Sequence, residues 1–145
     1  MRIEDLPQVM EIASGLREAA QWPRSAYVHA LDPEATPARV ALVAEGLQAG
    51  TSGFLIAVLI PPQAELETIA VVPAAQRRGI GARLLAALFD YLKKSQISEV
   101  MLEVRESNRT ARAFYASTGF RETGRRAGYY HEPKEDAVLL TRSNF

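Results

Sequence analysis

A mixed α/β (α+β) fold in a single domain is what this sequence predicts, and three observations carry the prediction. Two amphipathic helical stretches open the chain and lead into two strand-like runs. A strand–helix–strand–helix alternation follows, and two further strand-like runs close it. The predicted order is therefore ααββ followed by βαβαββ. With 145 residues, 48% apolar and 23% charged, the chain has the composition of an ordinary globule. That length suits one domain, 1–145, able to bury roughly 68–70% of its unfolded surface.

The first helix is predicted from Asp5 as cap, Gln8 at the capping-box position, and Leu6, Val9, Met10, Ala13 and Leu16 at helical spacing. Trp22-Pro23-Arg24-Ser25 opens a shorter helix through Tyr27, Val28 and Leu31, which Pro33 stops. The runs 40–45 and 54–60 are rich in β-branched and aliphatic residues. Gly50-Thr51-Ser52-Gly53 between them predicts an antiparallel hairpin, and Pro61-Pro62 ends its second strand. A strand over 66–72 enters a Pro73 turn and a glycine-rich loop over 76–81. The helix that follows aligns Ile80, Leu84, Leu85, Leu88 and Leu92, with Lys93 and Lys94 suited to its negative end. The run 100–104 reads as a strand, Asn108 as the cap of a helix bearing Ala111, Phe114 and Tyr115, and Gly119 as its left-handed stop. Phe120 onward and 136–141 supply the last strands.

Several classes of function drop out. There is no cysteine, which removes disulfides, thiolate metal sites and cysteine nucleophiles. His29 and His131 are far apart and have no ligand-spaced partners, so no metal is expected. The formal net charge of zero nominates neither nucleic acid nor membrane. Met1 leads into Arg2-Ile3-Glu4-Asp5-Leu6-Pro7, which lacks the apolar core of a signal peptide, and a cytoplasmic protein is expected.

The chemistry concentrates in Gln76-Arg77-Arg78-Gly79-Ile80-Gly81-Ala82. A strand feeding a glycine loop and then a helix builds an anion site, because the first backbone N–H groups of a helix lack internal acceptors. Arg77, Arg78 and Arg83 favour a phosphorylated ligand, although the same run also serves as a plain glycine turn before an amphipathic helix. A dinucleotide fingerprint needs glycine three positions after Gly81, where Leu84 stands, and no Gly-x-x-x-x-Gly-Lys run marks a nucleotide triphosphatase.

Val71-Val72-Pro73, the Gln76-to-Gly81 run and the leucine-rich helix resemble the acetyl-CoA-binding motif of the GCN5-related N-acetyltransferases (GNAT). Leu102-Glu103-Val104-Arg105, Ser107-Asn108, Ala113-Phe114-Tyr115, Gly119-Phe120, Tyr129-Tyr130 and Glu135-Asp136-Ala137 arrive in the order of that family's RimI branch. RimI enzymes acetylate the N-terminal alanine of ribosomal protein bS18. The resemblance is close from about 66 to 140. Where RimI-like chains usually carry Pro-Trp-Ser, this one has Trp22-Pro23-Arg24-Ser25, and Phe114 replaces the usual leucine.

The resemblance implies a mostly antiparallel sheet of about six or seven strands flanked by about four helices. It also implies that the sheet splays between two central parallel strands to admit the acyl-pantetheine arm. Ile69, Ala70 and Val71 would pair with that arm, with the Val71 N–H aimed at the thioester oxygen. Arg77, Arg78, Gly79, Ile80, Gly81 and Ala82 would hold the pyrophosphate, and Asn108 would touch the arm. No metal is implied. Glu103 would be the general base, although alone it also reads as a carboxylate on a solvated strand face. Tyr115 would protonate the leaving thiolate, although alone it reads as a core aromatic. Trp22, Glu67, Tyr129 and Tyr130 are the candidates for acceptor contact, joined by an acidic rim of Glu65, Glu132, Glu135 and Asp136. A small amine, a lysine side chain, or binding of acyl-CoA without chemistry are the alternatives. The zero net charge divides accordingly: residues 77–126 hold 11 basic and 5 acidic residues, and the remainder holds 6 basic and 12 acidic.

Overall fold

The computed structural model describes residues 1–46 and 50–145. Its described elements are α1 (Leu6–Ser14), α2 (Arg24–Leu31), β1 (Arg39–Glu45), β2 (Thr51–Ile60), β3 (Gln63–Val71), α3 (Ile80–Lys93), β4 (Glu99–Arg105), α4 (Arg109–Ser117), β5 (Arg121–His131) and β6 (Lys134–Ser143), with short 3₁₀ turns at Ile3–Asp5 and Pro73–Ala75. The order matches the predicted ααββ then βαβαββ. Six strands form one sheet in the order β1-β2-β3-β4-β6-β5. Every neighbouring pair is antiparallel except β3 with β4.

Two apolar layers clamp the sheet. On one face Leu84, Leu85, Leu88, Phe89 and Leu92 of α3 and Tyr115 of α4 pack on Leu55, Ala57, Leu66, Val100, Leu102 and Val138. Leu85, Leu88 and Leu92 are fully buried, and each such leucine contributes about 1.5–3 kcal/mol. On the other face Leu6, Val9, Ile12 and Ala13 of α1 and Tyr27 and Ala30 of α2 cover Phe54, Ile56 and Ala70.

Three local expectations need correcting. Asp5 does not cap α1 through its side chain; its carboxylate accepts from the Arg2 N–H, 2.6 Å away. Gln8 is not a box partner either: its Oε1 accepts from the Thr51 N–H at 2.6 Å and ties α1 to β2. Thr51, Ser52 and Gly53 belong to β2 and not to the turn. Gly53 is needed there because a Cβ would come within 2.8 Å of the Ala70 carbonyl oxygen.

The central parallel pair is short. Gln63, Ala64 and Glu65 pair with Glu99, Val100 and Met101, and the β3–β4 ladder ends there. The register of β2 with β3 passes from Ala57↔Leu66 to Ile56↔Thr68, which leaves Glu67 as one extra residue on β3. Such a bulge bends the strand and exchanges its faces. Beyond it Ile69 packs toward α3 and Ala70 toward α1, and β3 diverges from β4.

Candidate functional site

The gap between β3 and β4 has a polar edge made of main chain. The Val72 N–H donates to the Ser52 carbonyl across the β2–β3 ladder, so alternation turns the polar groups of Ala70 toward β2 and those of Ile69 and Val71 toward the gap. Of the three predicted edge residues, Ala70 therefore offers the gap no backbone group. The Val71 carbonyl accepts from Gln76 Nε2 at 3.0 Å, which folds the following loop against the strand end.

That loop reaches α3 through two left-handed residues, Arg77 (φ +62°) and Gly79 (φ +79°). Gly79 is the N-cap of α3, and no side chain among the described residues caps the helix. The Arg83 N–H makes the first helical bond, to the Gly79 carbonyl at 3.0 Å, so the N–H groups of Ile80, Gly81 and Ala82 precede the helical ladder. They form the positive end of a 14-residue helix, beside the exposed Arg77 and Arg78. The two glycines have different causes. Open space surrounds Gly79, whose conformation is the constraint, whereas a Cβ on Gly81 would lie 3.0 Å from Phe114 Cζ. Gly81 is the point where α3 and α4 approach.

Helix α4 brings up the predicted phenol. Asn108 Oδ1 accepts from the Ala111 N–H at 3.2 Å and caps the helix. Tyr115 is buried, with its ring 5.3 Å from that of Phe114 and 5.5 Å from that of Phe120. Burial pushes its phenol above the ordinary tyrosine range. The group stays neutral and remains a hydrogen-bond donor.

Glu103 lies on the opposite face of β4 from Val100, Leu102 and Val104, as alternation predicts. Its Oε1 is 2.9 Å from Arg126 Nε. Around it the face is dense with charge. Burial, followed by the charges of Glu103 and Glu67, raises the Glu65 carboxyl above its usual range, against the lowering influence of Arg126. Glu67, on the bulge, receives Arg39 through both oxygens, at 2.8 and 3.1 Å. Glu135 accepts from Arg105 at 3.0 Å and from the Ser107 hydroxyl at 3.0 Å, and these bonds hold its carboxyl below the usual range. Glu67 and Glu135 are thus each matched by an arginine.

Both tyrosines border this cluster. The Arg105 guanidinium sits 4.1 Å from the Tyr130 ring, and that of Arg126 sits 5.7 Å from the Tyr129 ring. Burial, then the charge of Glu103, raises the Tyr130 phenol. Between Arg126 and Tyr130 the β5–β6 register breaks, and the Asp136 carboxylate holds the loosened strand through the Gly128 N–H at 2.8 Å. Trp22 packs with the α1–α2 layer. It is half-buried, tilted 5.4 Å from the ring of Tyr27, which in turn meets Phe54 edge-on at 6.3 Å.

Sequence reasoning missed Arg126, Arg39, and Tyr27 and Thr68, whose buried hydroxyls find no partner among the described residues. Arginines on an exposed strand read as solvated charge, and only pairing across strands reveals their targets. Among the described residues no group of three or more His, Asp or Glu is arranged to hold a metal ion, and no helix is long and apolar enough to cross a membrane.

Comparison with known proteins agrees with this architecture. Residues 6–120 match the model of the acetyltransferase (GNAT) family. The ribosomal protein bS18-alanine N-acetyltransferase of Escherichia coli K12 is 41% identical over 91 residues, 61% of this chain and 62% of that protein. The chain thus spans about three-fifths of that relative's length (62%). The N-alpha-acetyltransferase RimI of Mycobacterium tuberculosis is 43% identical over 84 residues, 58% of this chain and 51% of that protein. The crystal structure of the ribosomal-protein-S18-alanine N-acetyltransferase from Escherichia coli superposes with a TM-score of 0.82 at 29% identity, covering 99% of this chain and 90% of that one.

Proposed function

The chain belongs to the acetyltransferase (GNAT) family, and from that premise we propose that it is an acetyl-CoA-dependent N-acetyltransferase acting on the α-amine of a protein N-terminus. Residues 1–145 would act as one catalytic domain. The carrying observation is that a single gap in the sheet lies between an uncapped helix N-terminus and a carboxylate-bearing strand. A diphosphate suits the first and an amine suits the second. The bS18-alanine activity named for the relatives makes an alanine N-terminus the first acceptor to try, with bS18 the leading protein partner.

Acetyl-CoA supplies an activated acyl carbonyl and a thiolate leaving group. The N–H groups of Ile80, Gly81 and Ala82 suit its pyrophosphate, with Arg77 and Arg78 adding charge and Gly79 setting the turn. Ile69 and the Val71 N–H face the pantetheine arm, and Asn108 borders it while capping α4. Glu103 takes a proton from the acceptor ammonium, directly or through water, and frees the nitrogen lone pair to form the N–C bond. The Val71 N–H donates to the carbonyl oxygen as negative charge develops there, worth a few kcal/mol when well placed. Tyr115 hydrogen-bonds to the sulfur as the C–S bond breaks, and the second proton that the nitrogen sheds on becoming an amide passes to solvent, from which the departing thiolate is protonated. The raised Tyr115 phenol favours hydrogen-bond donation over complete proton transfer. Trp22, Glu67, Tyr129 and Tyr130 are assigned to the acceptor peptide.

Incubation with acetyl-CoA and a peptide that begins with alanine and carries the bS18 N-terminal sequence tests the reading. Release of CoA is expected. Absence of turnover across a panel of peptide N-termini contradicts it, and turnover confined to small amines redirects it to another acceptor class.

A further inference from the structure

The carboxylate assigned as base already holds a cation of its own chain. Arg126 Nε lies 2.9 Å from Glu103 Oε1, with the Glu103 side chain 20% exposed and that of Arg126 56% exposed. The two residues are not on neighbouring strands: β6 separates β4 from β5, and the arginine reaches across it. The Tyr129 ring flanks the same guanidinium at 5.7 Å. It stands where β5 leaves register with β6. Glu65, across the β3–β4 pair, feels both Glu103 and Arg126.

An acceptor amine near neutral pH arrives as a cation and needs the same carboxylate. Two cations at contact distance from one oxygen repel each other. The half-exposed arginine is the partner that can leave at little cost, since exposed ion pairs are weak and an aromatic face accepts a guanidinium.

We propose that Arg126 is an internal competitor of the acceptor amine: it occupies Glu103 before the acceptor binds and is displaced toward Tyr129 when the amine enters. Arg126 thereby sets the acceptor's apparent affinity and is a specificity residue without touching the acyl donor. The inference rests on Glu103 as the base.

Steady-state kinetics of the full chain with acetyl-CoA and an alanine-starting peptide test it. Arg126→Ala and Arg126→Gln should each lower the acceptor KM about two- to fivefold, the range expected for an exposed ion pair, with the acetyl-CoA KM unchanged. Methylguanidinium should then compete with the peptide in Arg126→Ala and raise its KM toward that of the unmodified protein. It should leave the unmodified protein, whose carboxylate is already paired, unaffected. A purely structural arginine would not confer this sensitivity. An acceptor KM that rises or stays constant in both variants, or equal inhibition of both proteins by methylguanidinium, overturns the inference. Glu103→Gln with Arg126 intact separates the two claims. Full activity there removes the base assignment, whereas loss of activity there with unaltered Arg126 variants removes only the competitor.

Discussion

On the α3 side of the central gap the polar groups are main-chain amides supplied by one local run, 71–82. On the opposite face they are side-chain ion pairs joining distant segments, such as Arg39 with Glu67, 28 residues apart, and Arg105 with Glu135, 30 apart. The two sides also differ in what a substitution can change. Amides persist under almost any side-chain replacement, so apart from the charge that Arg77 and Arg78 add, only a change of backbone conformation or packing alters the first side. The second side depends on individual carboxylates and guanidiniums, and single residues retune it.

Substitutions at the gap break or sharpen that contrast, in decreasing order of expected effect. Glu103→Gln should slow acetyl transfer by about 10²–10⁴-fold while calorimetric binding of acetyl-CoA stays unchanged. A parallel loss of donor binding would erase the distinction between the sides. Tyr115→Phe should cost about 10²-fold in the same assay, the lower end for a positioned acid, with donor affinity again preserved. Gly81→Ala acts on the backbone-built side through packing: the new Cβ meets Phe114 at 3.0 Å, and the expected loss is about 1–3 kcal/mol of stability in chemical denaturation. Little change there would mean that α3 and α4 are not held at this contact.

The smallest effect belongs to the side-chain-built face and to pH. The Glu65 carboxyl is raised in the folded protein, chiefly by burial. The folded state therefore keeps that proton to higher pH than the unfolded chain does. The associated stability is greatest at acid pH and is lost as pH rises from the usual carboxylate range through the raised value. Glu65→Gln should flatten this decline, raising Tm relative to the parent near pH 7 more than near pH 4. An identical Tm difference at both pH values would show that Glu65 does not titrate differently on folding.

The same division governs how much was legible in the sequence. Helix α3, its glycine entry and the Asn108 cap are local signals, and each stands where the residues predict. The splay of β3 from β4 was implied only by family resemblance, because the Glu67 bulge that bends β3 exists only in its register with β2. Gly53 looked like a turn residue, although close approach of the Ala70 carbonyl is what requires glycine inside β2. Gln8 fitted a local capping pattern and instead serves a strand 43 residues away. Arg126 was illegible for the same reason: the run Arg121–His131 reads as a charged, solvated strand, and only folding across β6 brings its guanidinium to Glu103.

The central claim is that the gap joins an acyl donor to a protein α-amine. Its most direct test is tandem mass spectrometry of an alanine-starting peptide that also contains lysine, incubated with the protein and acetyl-CoA. A parallel sample carries a blocked N-terminus. The account predicts one acetyl group on the alanine nitrogen of the free peptide and none on the blocked one. Acetylated lysine in the blocked peptide, or no acetyl group on either, would contradict it.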